Sequence, residues 1–320
     1  MSFLIKRQIK EQIDAATRIL LLTDDKIDGD TIGSTLGMYH VLSTAGKEVD
    51  VYSPHPLPDV FEFLPGVEMI QRQDGFFKDA DYDLVLIFDC ADGGYIKPLL
   101  PLMLGKPAVI VFDHHATNPK YGDLNLIEPV AASTADVVWR FLREMKFEID
   151  RSAAQCILTG ICTDTDTFST SNTTAACLEA AHELSKLGAK LQVIVRNTMM
   201  NKSVSALKLW GLALERLHHN DEFDALCTAI CLRDLKKLGA QKDDLQGLSN
   251  FLNAMVQDAD MIVVLYERTD GSVKGSMRAR DRDVSKIAAK RGGGGHKRAA
   301  GFSVEGAHLE EKDGQWFIVK

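Results

Sequence analysis

Three short apolar runs, residues 18–23, 84–88 and 108–112, each stop at acids or histidines, and an apolar helix-like run at 153–162 stops the same way. This pattern restricts the fold more than any other. A short continuous apolar run reads as a strand buried on both faces, as in a parallel sheet covered by helices. Segments of helical spacing lie between the runs, so strands alternate with helices through roughly the first 190 residues. The expected architecture is α/β, with a doubly wound, mostly parallel sheet. In such sheets ligands sit just past the carboxyl ends of the strands. This chain places Asp24-Asp25-Lys26-Ile27-Asp28-Gly29-Asp30, Asp89-Cys90-Ala91-Asp92, Asp113-His114-His115 and Thr163-Asp164 at the ends of its runs.

With 320 residues, one core is a poor expectation. The rhythm breaks after about residue 190, and an amphipathic stretch near 206–218 reads as a connecting helix. The expected division is 1–190 for the sheet domain, 191–222 for a helical linker and 223–320 for a second, smaller α/β domain. In the last part, 225–230, 261–266 and 273–277 read as strands, the latter two paired across the Asp270-Gly271 turn.

A net charge of −8 argues against a general grip on long duplex nucleic acid. Yet residues 278–298 hold eight basic side chains against Asp281 and Asp283, a local +6 that leaves −14 for the remainder. Six scattered cysteines without a CxxC pair read as reduced thiols, which points to the cytoplasm. No apolar stretch reaches membrane-spanning length.

Four aspartates within seven residues (24, 25, 28 and 30) repel one another unless cations neutralise them; the bland alternative is a solvated acidic loop opening a helix. Carboxylates with one or two imidazoles suit Mn²⁺ or Mg²⁺, and two such ions sharing a carboxylate form a hydrolytic clamp on phosphoryl groups. The glycines at 292–295, followed by His296, Lys297 and Arg298, read as a backbone nest for an anion, against the alternative of a flexible hairpin.

Together, Asp28-Gly29-Asp30 with Gly33-Ser34, Asp89, Asp113-His114-His115, Thr163-Asp164-Thr165 and the 292–296 segment resemble the successive motifs of the DHH phosphoesterase family. The branch they most resemble is the nanoRNase/pAp phosphatase, or NrnA-like, group. The resemblance covers almost the whole chain and implies a DHH domain followed by a DHH-associated substrate-binding domain. It further implies two Mn²⁺ ions, with Asp28 on one, Asp30 on the other and Asp89 bridging them. His114 and Asp164 complete the second ion's ligand set, and His115 faces the scissile phosphate. Asp113 orients His114, and Arg278, Gly293, Gly294, Gly295 and His296 hold the substrate. The expected substrates are short single-stranded RNA or small nucleotides; a homodimer is left open.

One position departs from the branch: Asp24 stands where a histidine is usual. It is still an oxygen donor, which favours acceptance of Mg²⁺, and either Asp24 or Asp25 can be the ligand. Asp166 replaces a usual glycine. Two other functions compete with the leading one. The same chemistry would serve linear or cyclic dinucleotides such as pApA and c-di-AMP, and a chain without metals would be a nucleotide-binding sensor.

Overall fold

The computed structural model describes residues 2–25, 27–73, 75, 77–78, 80–221, 223–256 and 259–320, without the side chains of Ser2 and His296. The chain divides into two compact units, Met1–Asn201 and Lys202–Lys320. No helix among the described residues is long and apolar enough to cross a membrane.

The first unit is built on a six-stranded sheet of β1 (Arg18–Leu22), β2 (Glu48–Tyr52), β3 (Ile70–Gln71), β4 (Leu84–Phe88), β5 (Ala108–Asp113) and β6 (Leu124–Ile127). Its order is β3-β2-β1-β4-β5-β6, and every neighbouring pair is parallel. β6 escapes the pattern analysis because its sequence, Leu-Asn-Leu-Ile, is short and interrupted by Asn125. The helices are α1 (Ser2–Ala15), α2 (Gly29–Thr44), α3 (Thr134–Glu144), α4 (Arg151–Asp164), α5 (Ala175–Lys186) and α6 (Leu191–Thr198).

Both faces of this sheet are buried, which explains why its central strands read as unbroken apolar runs. Ile19, Leu21, Leu86, Phe88, Ile110 and Phe112 pack into one core with the helices. Their alternates Leu20, Leu22, Val85, Ile87, Val109 and Val111 form a second core with Phe77, Ile96 and Met103 from the 77–103 segment. Each fully buried side chain of this size contributes on the order of 2 kcal/mol. The strand order reverses between β1 and β4. Connections from those two strands run to opposite sides there, which opens a crevice at their carboxyl ends.

The second unit begins with α7 (Val204–Glu215), followed by β7 (His218–Asn220), β8 (Ala225–Ile230), α8 (Leu232–Leu238) and α9 (Leu248–Met255). Then come β9 (Met261–Glu267), β10 (Ser272–Ala279), α10 (Val284–Ala289), β11 (Gly294–His296), β12 (Ala299–Glu305), β13 (His308–Lys312) and β14 (Gln315–Val319). Its main sheet has the order β11-β12-β10-β9-β8-β7 and is antiparallel except for the β8–β9 pair. The connecting helix is shorter than its amphipathic pattern suggests. It ends at Glu215, and His218 and His219 lie on β7, opposite Cys227 and Leu226.

Candidate metal centre

The carboxyl ends of β1, β4 and β5 and the facing ends of α2, α3 and α4 carry the chemistry. Asp28 caps α2: its Oδ1 accepts the backbone N–H of Asp30 and of Thr31, each at 3.0 Å. Two residues on, Asp30 points into the crevice and is buried. The first residues of α3 meet it there. The N–H of Thr134 donates to Asp30 Oδ2 at 2.6 Å and that of Ala135 to Oδ1 at 2.8 Å, a helix N-terminus turned on an acid. Ser133 caps α3 through the N–H of Asp136 at 3.1 Å.

Asp89 follows β4 with φ +59, a left-handed conformation that costs an aspartate on the order of 1 kcal/mol. Three contacts hold it. Its own N–H donates to Phe112 O at 3.0 Å. The Thr31 hydroxyl donates to Oδ2 at 2.8 Å, and the Thr134 hydroxyl to Oδ1 at 2.9 Å.

Asp164 closes α4, and its place depends on how α4 crosses α2. A methyl group on Gly33 would lie 2.6 Å from Cys156 O and 2.7 Å from Gly160 N. Only glycine at 33 therefore lets the two helices approach closely enough to set Asp164 beside Asp30.

Among the described residues two groups of potential ligand atoms come within 4.8 Å of one another: Asp89 with His114 and His115, and Asp30 with His114 and Asp164. His114 belongs to both. Its Nε2 lies 3.9 Å from Asp30 Oδ2, 3.9 Å from Asp89 Oδ1 and 3.7 Å from Asp164 Oδ2. Asp24 and Asp28 are in neither group. Asp24 is half-buried and its carboxyl is raised, first by burial, while hydrogen bonds from Cys90 and the Asp25 backbone oppose the rise.

Burial dominates the electrostatics. It pushes the carboxyls of Asp30 and Asp89 well above the ordinary range, and the charges of neighbouring aspartates add to it. Asp164 is pushed up to about 7, first by burial and then by Asp28. Asp164 Oδ2 is buried with no hydrogen-bond partner. A donor set of crowded, buried carboxylates, one with an orphaned oxygen, next to an imidazole fits a divalent oxygen-preferring cation.

Asp113 works differently. It is fully buried and saturated. Oδ1 accepts from the backbone N–H of His114 at 2.7 Å and of His115 at 3.0 Å, and lies 2.7 Å from His115 Nδ1. Oδ2 accepts from Asn118 Nδ2 at 2.6 Å. Burial alone would raise this carboxyl, but the bonds from His115 and Asn118 outweigh it and the net shift is downward. The ring it grips at 2.7 Å is that of His115, whereas the resemblance implied His114. The bond to Asp113 and the charges of Asp89 and Asp164 raise His115 to about 9 against its own burial.

Motif reading missed three supports of this centre: the Thr31 hydroxyl, Asn118 and the Ala135 N–H. The Thr134 hydroxyl, on Asp89, belongs to the same centre. Asn118 gave no signal, because it lies five positions past Asp113 in no regular element.

In the second unit, Arg278 lies on β10, with Nε donating to Asn250 Oδ1 at 2.7 Å and Nη1 to Met277 O at 2.9 Å. The glycine run links α10 to β12: Gly293 N donates to Ala288 O at 2.9 Å, and Gly294 and Gly295 pair with Gly301 and Ala300. Gly295 has φ +137, which side chains rarely adopt. His296 pairs with Ala299 through its backbone, and its side chain lies outside the described residues.

Two family models account for both units: the DHH family N-terminal domain matches residues 18–161 and the DHHA1 domain matches 225–313. A Thermus thermophilus protein named bifunctional oligoribonuclease and PAP phosphatase NrnA is 32% identical over 297 residues, which cover 92% of this chain and 86% of that protein. The chain belongs to the DHH family. The solved structure of an exopolyphosphatase-related protein from Bacteroides fragilis matches this DHH chain with a TM-score of 0.86 and 26% identity, over 94% of this chain and 91% of that one. RecJ from Thermus thermophilus, solved in complex with Mn²⁺, shares the fold at a TM-score of 0.52 and 16% identity, over 95% of this chain and 52% of that one.

Proposed function

We propose that this DHH-family chain hydrolyses short oligoribonucleotides to mononucleotides and removes a phosphate from 3′-phosphoadenosine 5′-phosphate (pAp), using two Mn²⁺ ions, with Mg²⁺ accepted. The observation that carries the reading is the meeting of Asp30, Asp89, His114 and Asp164, from four separate elements, around an unpartnered buried carboxylate oxygen. The name of the Thermus thermophilus relative supports the substrate class. Met1–Asn201 is the catalytic unit and Lys202–Lys320 the substrate-binding unit.

Asp30, His114 and Asp164 would hold one cation and Asp28 the other, with Asp89 available to both. Asp24 is an added oxygen donor at the rim, in the place of the branch's histidine. When bound, the pair of ions supplies an activated water and offsets charge on the phosphoryl oxygens. The α3 N-terminus and the two threonines hold Asp30 and Asp89 in place, so the ligand geometry is set before substrate arrives. The 2.7 Å bond to Asp113 favours the protonated form of His115. Asp113 fixes its Nδ1, so the Nε2 proton is the one His115 gives to the leaving oxygen. Arg278 and the glycine run hold the phosphate or sugar end of the substrate. All six cysteines are free thiols, five of them buried, in keeping with a cytoplasmic enzyme.

The test is incubation of the full chain with Mn²⁺ and di- to pentaribonucleotides, pAp, pApA or c-di-AMP. We expect mononucleotides from the RNA and phosphate from pAp, and neither from Asp89→Ala. No turnover of RNA or pAp with either metal would discard the reading, and turnover of the adenine dinucleotides alone would replace it with a dinucleotide hydrolase.

A further inference from the structure

The register of the second sheet puts several cations and glycines on one face. Arg278 lies opposite Ala299, which lies opposite His296; Ser276 lies opposite Gly301, which lies opposite Gly294; Lys274 lies opposite Ser303. Alternate strand residues share a face, so Arg278, Ser276 and Lys274 form one row. Gly301 and Gly294 leave a floor beside that row without side chains. Lys274 leans over the floor: its Cε is 3.8 Å from where a methyl group on Gly301 would sit.

The Arg268 N–H donates to Ser272 O at 2.8 Å, which sets Arg268 across from the end of this row, and Lys242 adds its charge at Lys274. Arg268 follows β9, and Lys242 comes from the 3₁₀ turn Lys242–Leu245. Among the described residues neither they nor Lys274 makes a salt bridge, and Arg268 Nε is buried with no hydrogen-bond partner. The Lys274 ammonium is held below the ordinary lysine value, first by burial and then by Arg268, Lys242 and Arg278. The nearby acids are occupied. Asp270 Oδ1 accepts from the Ser272 N–H and hydroxyl at 3.0 and 2.6 Å, and Asp244 Oδ2 accepts from Gln241 N at 2.8 Å. Asp270 stays an anion beside Arg268, whereas Lys274 is crowded by Arg268, Lys242 and Arg278 without a salt bridge of its own among the described residues. Such crowding destabilises a fold unless an anion answers it.

We propose that Lys274 and Arg268 form a second anion seat beside Arg278, which takes a phosphate of an oligonucleotide distal to the one at Arg278. Lys274 lies four residue steps from Arg278 along β10, about 13 Å of backbone. The two phosphates of a single nucleotide do not cover that span, and a chain of three or more nucleotides does. The seat therefore selects substrates by length. This inference rests on the proposed oligoribonuclease function, and a binding measurement separates the two.

With metals removed by EDTA, the affinities of the full chain for a labelled pentaribonucleotide and a labelled diribonucleotide are compared by fluorescence anisotropy at low salt. Lys274→Ala should lower the pentanucleotide-to-dinucleotide affinity ratio about tenfold. It should also flatten the salt dependence of pentanucleotide binding by about 0.7 in log–log slope, the contribution of one phosphate contact. Lys274→Arg, which keeps the charge, should hold the ratio within about threefold, and this guards against a folding defect. An unchanged ratio, or an equal loss for both ligands, overturns the proposal. So does inorganic phosphate competing as well as the pentanucleotide, since the seat would then take a free anion. If the wild type hydrolyses nothing but the ratio falls, the seat stands and the hydrolase reading does not.

Discussion

Deleting one charge at Asp164 tests whether cations neutralise the crowded carboxylates. Its carboxyl titrates near 7 in the fold and at 3.8 ordinarily, because burial and Asp28 disfavour the anion. Between roughly pH 4 and 7 the folded, metal-free protein keeps a proton that the unfolded chain has released. Stability therefore falls as pH rises through that window, and the full cost is present above it. About three pKa units correspond to about 4 kcal/mol. The side chain keeps 28% of its surface exposed, so allowance for solvent leaves about 2 kcal/mol. Asp164→Asn has the same shape without the charge. In EDTA at pH 8 it should be more stable than the wild type by about 2 kcal/mol, a gap that closes towards pH 4. Urea denaturation followed by circular dichroism reads this directly. Mn²⁺ should invert the order. At a hundredfold excess over Kd the wild type gains about 2.7 kcal/mol, while the variant, short of one anionic donor in the Asp30–His114–Asp164 group, gains less than half of that. The reasoning fails if Asp164→Asn is the less stable protein in EDTA at pH 8, or if both proteins gain equally from Mn²⁺.

Gly33→Ala should cost about 2–3 kcal/mol, because the new methyl meets the backbone of α4 at 2.6 Å. By parting α2 from α4 it should also shrink the stabilisation by Mn²⁺, and an unchanged urea midpoint would refute the close-crossing argument. His115→Ala should lower kcat by about a hundredfold to ten-thousandfold with a much smaller change in KM; a loss confined to KM would remove His115 from proton transfer. Asp166 has φ +46, in the left-handed region that glycine adopts freely, so Asp166→Gly should raise stability by about 0.5–1 kcal/mol, and a lowered melting temperature would show that the turn is not strained there.

The central strands were readable because both faces of the first sheet are buried, so β4 and β5 carry no polar residue until their carboxyl ends. The two-residue β3 and the four-residue, mostly half-buried β6 lie at the sheet's edges, where burial writes a weaker pattern. His218 and His219 continue the helical spacing of α7 yet pair with β8, because backbone bonding to a neighbouring strand overrides local periodicity.

What the sequence determines alone is the set of acids and histidines and the fact that each follows a buried run, since hydrophobic patterning and strand ends are local properties. What tertiary structure decides is which of those groups share atoms in space. It joins Asp164 to Asp30 through the glycine crossing of α2 and α4, turns the α3 N-terminus on Asp30, and gives Asp113 to His115. Those outcomes depend on helix packing and on the burial of charge, which act between residues as many as 134 positions apart, from Asp30 to Asp164, and leave no mark on local spacing.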